Sequence, residues 1–218
     1  MTDEFALYGY FRSSAAFRAR IALNLKGINP ELRFIHLLKE GGQQHTDEYK
    51  ALNPLELIPA LLHNGHMITQ SLAIMEYLDE IVPNPPILPK DALGRGRVRE
   101  IAYVIACDIH PVNNLRLGQY MKREFNLTDE QQTRWQRHWI TIGFEALEKM
   151  LGGSKDTGKF CHGDTPTIAD ICLVPQIFNA RRVKLEIERY PALARIEAHA
   201  MTHPAFDAAQ PKNQPDAE

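Results

Sequence analysis

The sequence has few cysteines and no long apolar run, and both shortages exclude whole classes of protein. Its 218 residues contain only Cys107, Cys161 and Cys172, an odd number without a CxxC pair, so neither a disulfide framework nor a structural zinc site is indicated. No segment approaches the roughly 18 apolar residues of a membrane-spanning helix. The N-terminal MTDEFALYGY lacks the apolar run of a signal peptide. We therefore expect a cytoplasmic protein with reduced cysteines and no membrane association.

The sequence also lacks an excess of either sign of charge. The chain has 25 lysines and arginines against 27 aspartates and glutamates, so it lacks the global basic field that binds nucleic acid. The pairs His63/His66 and His199/His203 have no third ligand at suitable spacing, and we expect no metal site. Any anion must therefore be bound locally, by particular hydroxyls, arginines or helix ends.

The first part of the chain alternates between strand and helix patterns. Alternating apolar and polar residues indicate strands, and apolar residues recurring at helical spacing indicate helices. Asn64-Gly65, between two apolar pairs, is typical of a two-residue β-hairpin. The predicted order is βαβ followed by ββα: strands at 5–10 and 32–37 around a helix at 14–25, then the hairpin in PALLHNGHMI, residues 59–68, and a helix at 71–81.

A proline-rich segment separates this part from a helical remainder. VPNPPILP, over residues 82–89, contains four prolines, which neither a helix nor a central strand tolerates. Beyond it the periodicity is helical throughout. We predict a first domain over residues 1–83, a linker over 84–90, an all-helical domain over 91–210 and a polar tail over 211–218 that is disordered.

Two serines stand at the predicted start of the first helix. A helix N-terminus presents unpaired N–H groups and a partial positive charge, so Ser13 and Ser14 lie where an anion is stabilised. Serine is also an ordinary N-cap, and the motif alone does not separate the two roles. The apolar face of this helix carries Phe17, and the pattern predicts Arg18 and Lys26 outside that face.

Two further features of the first domain suit a short acidic peptide. Pro59 directly precedes a predicted strand, and a cis bond there turns the backbone groups of Ile58 toward an extended ligand. Gln70 and Ser71 begin the next helix and provide a second N-terminus able to cap a carboxylate. Two anion-binding helix N-termini beside a strand edge therefore indicate a binding site for a short acidic peptide.

These residues carry a resemblance to a known family. It is carried, in order, by RSSAAFRARIALNLKGI, GGQQ, NPLELIPAL, NGHMITQSLAIMEYL, CDIHPVNNLR, GDTPTIADICLVPQIFNARR and a tyrosine-proline pair before the last helix. With these motifs the chain resembles the zeta class of glutathione transferases, which includes maleylacetoacetate isomerases and maleylpyruvate isomerases. The resemblance covers nearly the whole chain and implies a thioredoxin-like α/β first domain followed by an all-α domain.

The resemblance implies that glutathione is the cofactor. Ser13 matches the serine that donates to the glutathione thiolate, and a helix start with a hydroxyl donor lowers a thiol pKa from its usual ~8.5. One position departs from the family's Ser-Ser-Cys pattern, since Ala15 stands where the cysteine is usual; we expect weaker thiolate stabilisation. The matched glutathione positions are Ser13, Ser14, Gln44, Ile58, Pro59, Gln70, Ser71 and His110.

Three arginines match positions that line the substrate site of maleylpyruvate isomerases. Guanidinium groups bind carboxylates bidentately, so a dicarboxylate substrate is implied. Asn114 is one helical turn from His110 and is expected on the same face of the helix. Pro111 lies in the same predicted helix, where it should leave one backbone carbonyl without its usual donor and kink the axis. The implied substrate-binding residues are Arg12, Asn114, Arg116 and Arg182, and the implied catalytic residues are Arg12, Ser13, Ser14 and Arg182.

The implied activity is cis-trans isomerisation of a maleyl keto acid, in aromatic or tyrosine catabolism, with glutathione regenerated at each turnover. Two alternatives stay open: a transferase acting on α-halo acids or other small electrophiles, and a non-catalytic glutathione-binding module. Consumption of glutathione distinguishes the three. The resemblance also implies a homodimer.

Overall fold

The computed structural model describes residues 4–218, so the first three residues of the predicted first domain lie outside the described chain. It divides into two units, the first formed by residues 4–86 with Thr202–Glu218 and the second by Ile87–Met201. The strands are β1 Phe5–Gly9, β2 Glu31–Phe34, β3 Ala60–His63 and β4 His66–Thr69. The helices are α1 Ser14–Leu25, α2 Asp47–Leu52, α3 Ser71–Ile81, α4 Ala92–Tyr103, α5 His110–Val112, α6 Leu115–Phe125, α7 Asp129–Gly152, α8 Ile168–Arg182, α9 Pro191–Ala200 and α10 Pro204–Ala208.

A four-stranded sheet forms the centre of the first unit. Its order is β2-β1-β3-β4, with β1 parallel to β2 and antiparallel to β3, and β4 antiparallel to β3. The hairpin turn falls at Asn64-Gly65, where both residues have positive φ values of 47° and 83°, as a two-residue turn requires. The predicted thioredoxin-like βαβ-ββα order is therefore confirmed.

Helix α1 is buried on nearly every side. All of its residues except Asn24 are buried, because it packs against α3 on one side and α10 on another. The predicted exposure of Arg18 and Lys26 is wrong, since they are 1% and 6% exposed. Lys26 Nζ pairs there with the carboxylate of Asp79, 2.6 Å from its Oδ1, and donates to the carbonyl of Pro85 at 2.5 Å.

The second unit is helical, as predicted, with a single isolated β-bridge between Thr157 and Gly163 among its described residues. The helix begun by α4 continues through a π-helical segment, Val104–Ile109, into α5. Pro111 follows this segment and has no N–H to return to the preceding turn. Wider turns, in which His110 N bonds the carbonyl of Ile105, therefore accompany the proline.

No helix over residues 4–218 is both long enough and apolar enough to cross a membrane.

The C-terminal segment corrects the predicted domain bounds. The helical unit ends at Met201 rather than at residue 210, and the chain from Thr202 onward belongs to the first unit. The predicted disorder of residues 211–218 is also wrong, because a 3₁₀ turn at Pro211–Asn213 and side-chain amides order this segment. Gln214 Nε2 donates to the carbonyls of Ala208 and Gln210, both at 2.9 Å, which replaces the missing regular backbone pairing.

Candidate functional site

The start of α1 is capped by Ser13. Its hydroxyl oxygen accepts a hydrogen bond from Ala16 N at 3.2 Å, and Ser14, the first residue of the helix, is buried. The first turn of α1 contains no acidic residue. Because the bond from Ala16 uses only an acceptor lone pair of Ser13, the hydroxyl hydrogen can still be donated to an anion at this helix end.

The start of α3 has an unusual backbone. Gln70, which precedes the helix, has φ +70°, a left-handed conformation that costs a residue with a side chain of order 1–3 kcal/mol and that clusters at ligand sites. The first turn of α3 also lacks an acid. The positive partial charge of this helix end is therefore not met by an acid of its own first turn.

A buried arginine connects these two helix starts. Arg18, in the second turn of α1, donates from Nη1 to the hydroxyl of Ser71 at 3.4 Å. Its charge adds to the field of the α3 N-terminus, which favours an anion there. Sequence reasoning missed Arg18 because helical periodicity placed it on the outer face; its burial depends on α3, which periodicity within one helix does not report.

The loop before β3 presents Ile58 and Pro59. The Ile58-Pro59 peptide bond is cis, and Ile58 is 9% exposed. Ile58 belongs to a buried apolar cluster that also contains Tyr10 and Phe11. The cluster therefore packs this loop against the residues that lead from β1 to Ser13.

Gln44 supplies a test of whether glutathione fits. The residue is 4% exposed, and its amide nitrogen lies 3.0 Å from His45 Nε2, while His45 Nδ1 lies 2.5 Å from Glu56 Oε2. That bond holds the pKa of Glu56 below its usual range. Within the described chain, Gln44 Oε1 is buried without a hydrogen-bond partner. A ligand with a peptide N–H would satisfy this oxygen, and glutathione has such groups.

Two predicted residues of the second unit occupy adjoining elements. His110 is half-buried and begins α5. The prediction that Asn114 shares its helix face is wrong, because α5 ends at Val112. Asn114 instead caps α6, where its Oδ1 accepts from Arg116 N at 3.0 Å. Its amide nitrogen is not used by this cap and remains a donor.

The three predicted arginines lie on separate parts of the chain. Arg12 is half-buried, with its guanidinium carbon 5.6 Å from the centroid of the Phe11 ring, within the range of a cation–π contact. Arg116 lies in the first turn of α6, and Arg182 is the last residue of α8. Both are exposed. Exposed guanidinium groups can reach a charged ligand without the cost of being buried unpaired.

Over residues 4–218 the structure contains no cluster of three or more histidine, cysteine or acidic side chains suited to a metal ion.

Two family models match the chain. The model described as "Glutathione S-transferase, N-terminal domain" matches residues 3–80. The model described as "Glutathione S-transferase, C-terminal domain" matches residues 134–199. The matched segments fall respectively in the sheet-containing part and the helical part of the chain.

Similarity to individual proteins extends over nearly the whole chain. The chain is 49% identical over 211 residues to a "Probable maleylacetoacetate isomerase" of Vibrio cholerae, covering 97% of each. A holo structure of a bacterial zeta-class maleyl pyruvate isomerase matches with TM-score 0.95 and 42% identity, covering 98% of this chain and 100% of that one. A maleylacetoacetate isomerase of Methylobacterium extorquens with bound malonate and glutathione matches with TM-score 0.94 and 37% identity, covering 98% and 99%.

Proposed function

Because the chain belongs to the glutathione S-transferase family, in its zeta class, we propose that it is a glutathione-dependent cis-trans isomerase of a maleyl keto acid. The observation that carries the proposal is the pair of acid-free helix starts, α1 and α3, joined by the bond from Arg18 to Ser71. A peptide with a thiolate and a carboxylate has one anion for each helix start.

We assign the cofactor's groups to residues of the first unit. Ser13 and Ser14 hold the sulfur, Gln70 and Ser71 hold the γ-glutamyl carboxylate, and the backbone of Ile58 before Pro59 pairs with the cysteinyl backbone. Gln44 contributes a further contact from the same unit. His110, which lies in the second unit, is assigned from the family resemblance alone. The unpartnered Oε1 of Gln44 supports its assignment, since a buried acceptor without a donor costs about 1–3 kcal/mol.

The substrate is assigned to the arginines. Arg12, Arg116 and Arg182 hold the carboxylates of a dicarboxylate, with Asn114 Nδ2 as a neutral donor. When bound, glutathione supplies a thiolate nucleophile that adds reversibly to the conjugated double bond. The positive helix start and the guanidinium groups stabilise the negative charge that develops on the substrate. These roles make Ser13, Ser14, Arg12 and Arg182 the catalytic set.

We further propose that the enzyme is a cytoplasmic homodimer that serves the breakdown of aromatic compounds. Its cysteine content supports a reducing compartment, and the resemblance to the family supports the dimer.

The test is turnover with substoichiometric glutathione. Purified protein is mixed with maleylpyruvate or maleylacetoacetate, and the ultraviolet absorbance of the cis isomer and the free thiol content are followed together. Loss of the cis isomer well beyond the glutathione present, with the thiol conserved, is expected and ranks the two substrates. Stoichiometric loss of thiol would indicate a transferase instead, and loss of neither would leave a binding module.

A further inference from the structure

The peptide between Tyr10 and Phe11, which leads into Ser13, is held by a buried arginine. Arg20, on α1, donates from Nη1 to the carbonyl of Tyr10 at 3.4 Å and from Nη2 to the carbonyl of Phe11 at 3.1 Å. Its Nε donates to the carbonyl of Ala209 at 3.0 Å. Burial lowers the pKa of Arg20 to about 10, so it stays charged at neutral pH and bonds the C-terminal segment and this peptide together.

The N–H of the same peptide is held from the C-terminal segment. Asp216 Oδ2 accepts from Phe11 N at 2.9 Å, and its charge opposes the lowering of the Arg20 pKa. The carbonyl of Tyr10 also accepts from Ser13 N at 3.0 Å. The carbonyl and the N–H of the Tyr10–Phe11 peptide are therefore both bonded by charged side chains. The turn that follows this peptide leads to Ser13, the cap of α1.

The segment that carries Asp216 is ordered up to that residue. Asn213 Nδ2 donates to the carbonyl of Asp207 at 2.8 Å, and Gln214 N donates to the carbonyl of Pro211 at 3.2 Å. Beyond Asp216, Glu218 pairs with Lys39. Bonds on both sides of Asp216 restrict where its carboxylate can lie, so the bond to Phe11 costs little ordering entropy when it forms.

We propose that Asp216 is a positioning residue for the glutathione thiolate: by bonding Phe11 N it fixes the turn that aims the hydroxyl of Ser13. A carboxylate bond to a backbone N–H is charge-assisted and roughly twice as strong as a neutral one. The α1 cap tolerates little displacement, since a hydrogen bond weakens steeply as its distance and angle depart from their best values. The inference rests on the proposed function for its consequence, but its geometry does not depend on bound glutathione.

The test compares three variants of the full chain. Asp216→Ala removes the acceptor, while Asp216→Asn keeps an oxygen that can still accept from Phe11 N. Asp207→Asn is the matched control, because Asp207 is an exposed carboxylate of the same segment and its Oδ1 accepts from Gln210 Nε2 rather than from the loop before α1. The free energy of unfolding of each variant is measured first, so that any global loss is known.

Three readouts follow. Hydrogen exchange at the Phe11 amide of the free protein is expected to be about tenfold faster or more in Asp216→Ala, the equivalent of one charged hydrogen bond. The dissociation constant of glutathione should rise about threefold to fivefold, and the pKa of the bound thiol should rise by about half a unit. Asp216→Asn should restore most of the exchange protection, and Asp207→Asn should match the wild type.

The outcomes separate the two proposals. Faster exchange at Phe11 with an unchanged thiol pKa would overturn the positioning role and leave Asp216 as a structural contact. Unchanged exchange in Asp216→Ala would overturn the inference at its first step. A wild-type protein that leaves the bound thiol at the pKa of free glutathione would instead contradict the assignment of Ser13, whatever the Asp216 variants do.

Discussion

Helices α1 and α8 both begin with a hydroxyl residue at the N-cap, but only α8 has its own carboxylate there. Asp170, which is 0% exposed, accepts from Cys161 N at 2.7 Å and from both the backbone N and the hydroxyl of Thr167 at 2.9 Å. At α1 the corresponding position is Ala16, whose N–H bonds Ser13. A carboxylate of the chain therefore lies at the N-terminus of α8, whereas the first turn of α1 provides none.

The difference teaches how a helix start becomes a ligand site. The N–H groups and the dipole favour one anion, and a carboxylate from the chain itself takes that place permanently. At α1 and α3, where the first turn carries no acid, an external anion can take it instead. We therefore interpret α8 as a folding element and the other two starts as binding elements. Four predictions test this division.

The largest effect is expected from removing the carboxylate at the start of α8. Asp170→Ala leaves buried N–H groups of Cys161 and Thr167 without acceptors, and each such group costs about 1–3 kcal/mol. The free energy of unfolding, measured with urea, should fall by about 3 kcal/mol or more. Asp164→Ala is the control, since that exposed carboxylate accepts the backbone N–H of Lys159 and its loss should cost under about 1 kcal/mol.

Thiol labelling reports the same change locally. Burial raises the pKa of the Cys161 thiol well above its usual value, so in the wild type only exposed Cys107 should react readily with a thiol reagent. In Asp170→Ala, Cys161 should become reactive. Equal stability and unchanged labelling would show that α8 does not need its carboxylate and would remove the contrast with α1.

The next effect concerns the open start of α1. Ser13→Ala removes both the cap and the proposed thiolate donor, so kcat/KM should fall about a hundredfold and stability by about 1 kcal/mol. Thr128→Ala is matched to it, since Thr128 caps α7 with its hydroxyl 3.2 Å from Gln131 N, as Ser13 does with Ala16 N. That control should lose similar stability and no activity. Parallel losses of activity in both would mean that Ser13 acts only as a cap.

Sequence reasoning located the start of α1 because caps are local. Ser13, Thr167 and Asp170 lie within a few residues of the helix starts they serve, and hydrogen-bonding chemistry at that range is visible in the sequence. The β-hairpin at Asn64-Gly65 was predictable for the same reason. The order of strands and helices was predicted from hydrophobic periodicity, which can be recognised in the sequence without knowledge of tertiary contacts.

The contacts that sequence reasoning missed are long-range and polar. Arg18 bonds Ser71 across 53 positions and Asp216 bonds Phe11 across 205. Composition predicts that a polar, proline-containing segment is disordered and that an arginine is exposed. Both rules fail where a tertiary partner satisfies the polar group, and periodicity carries no information about such a partner. The capping role of Asn114 was missed because the helix that contains His110 ends at Val112, whereas the sequence pattern predicted one continuous helix.

A smaller effect separates the substrate from the cofactor. If glutathione is held mainly by the first unit, Arg182→Ala should leave its dissociation constant nearly unchanged. The variant should still lower kcat/KM for the maleyl keto acid about thirtyfold, the value of a bidentate charged contact. Arg181→Ala is the neighbouring control, since Arg181 forms a two-bond pair with Glu197 and has no proposed role in substrate binding. Its loss should cost stability and leave kcat/KM unchanged. An Arg182 variant with wild-type turnover would exclude that residue from substrate binding.

The smallest effect is expected from adding a hydrogen-bond donor at the start of α1. Ala15, 8% exposed, occupies the position where the family's pattern has cysteine, so Ala15→Cys adds a donor without adding a charge. The pKa of bound glutathione should fall slightly and kcat/KM should rise about twofold to threefold. Ala15→Ser distinguishes the thiol from any donor, because a hydroxyl of similar size should reproduce the gain only if donation is sufficient. No change in either variant would mean that Ser13 and the helix end already stabilise the thiolate fully. The absence of a carboxylate, rather than the number of donors, would then be what makes this helix start a binding site.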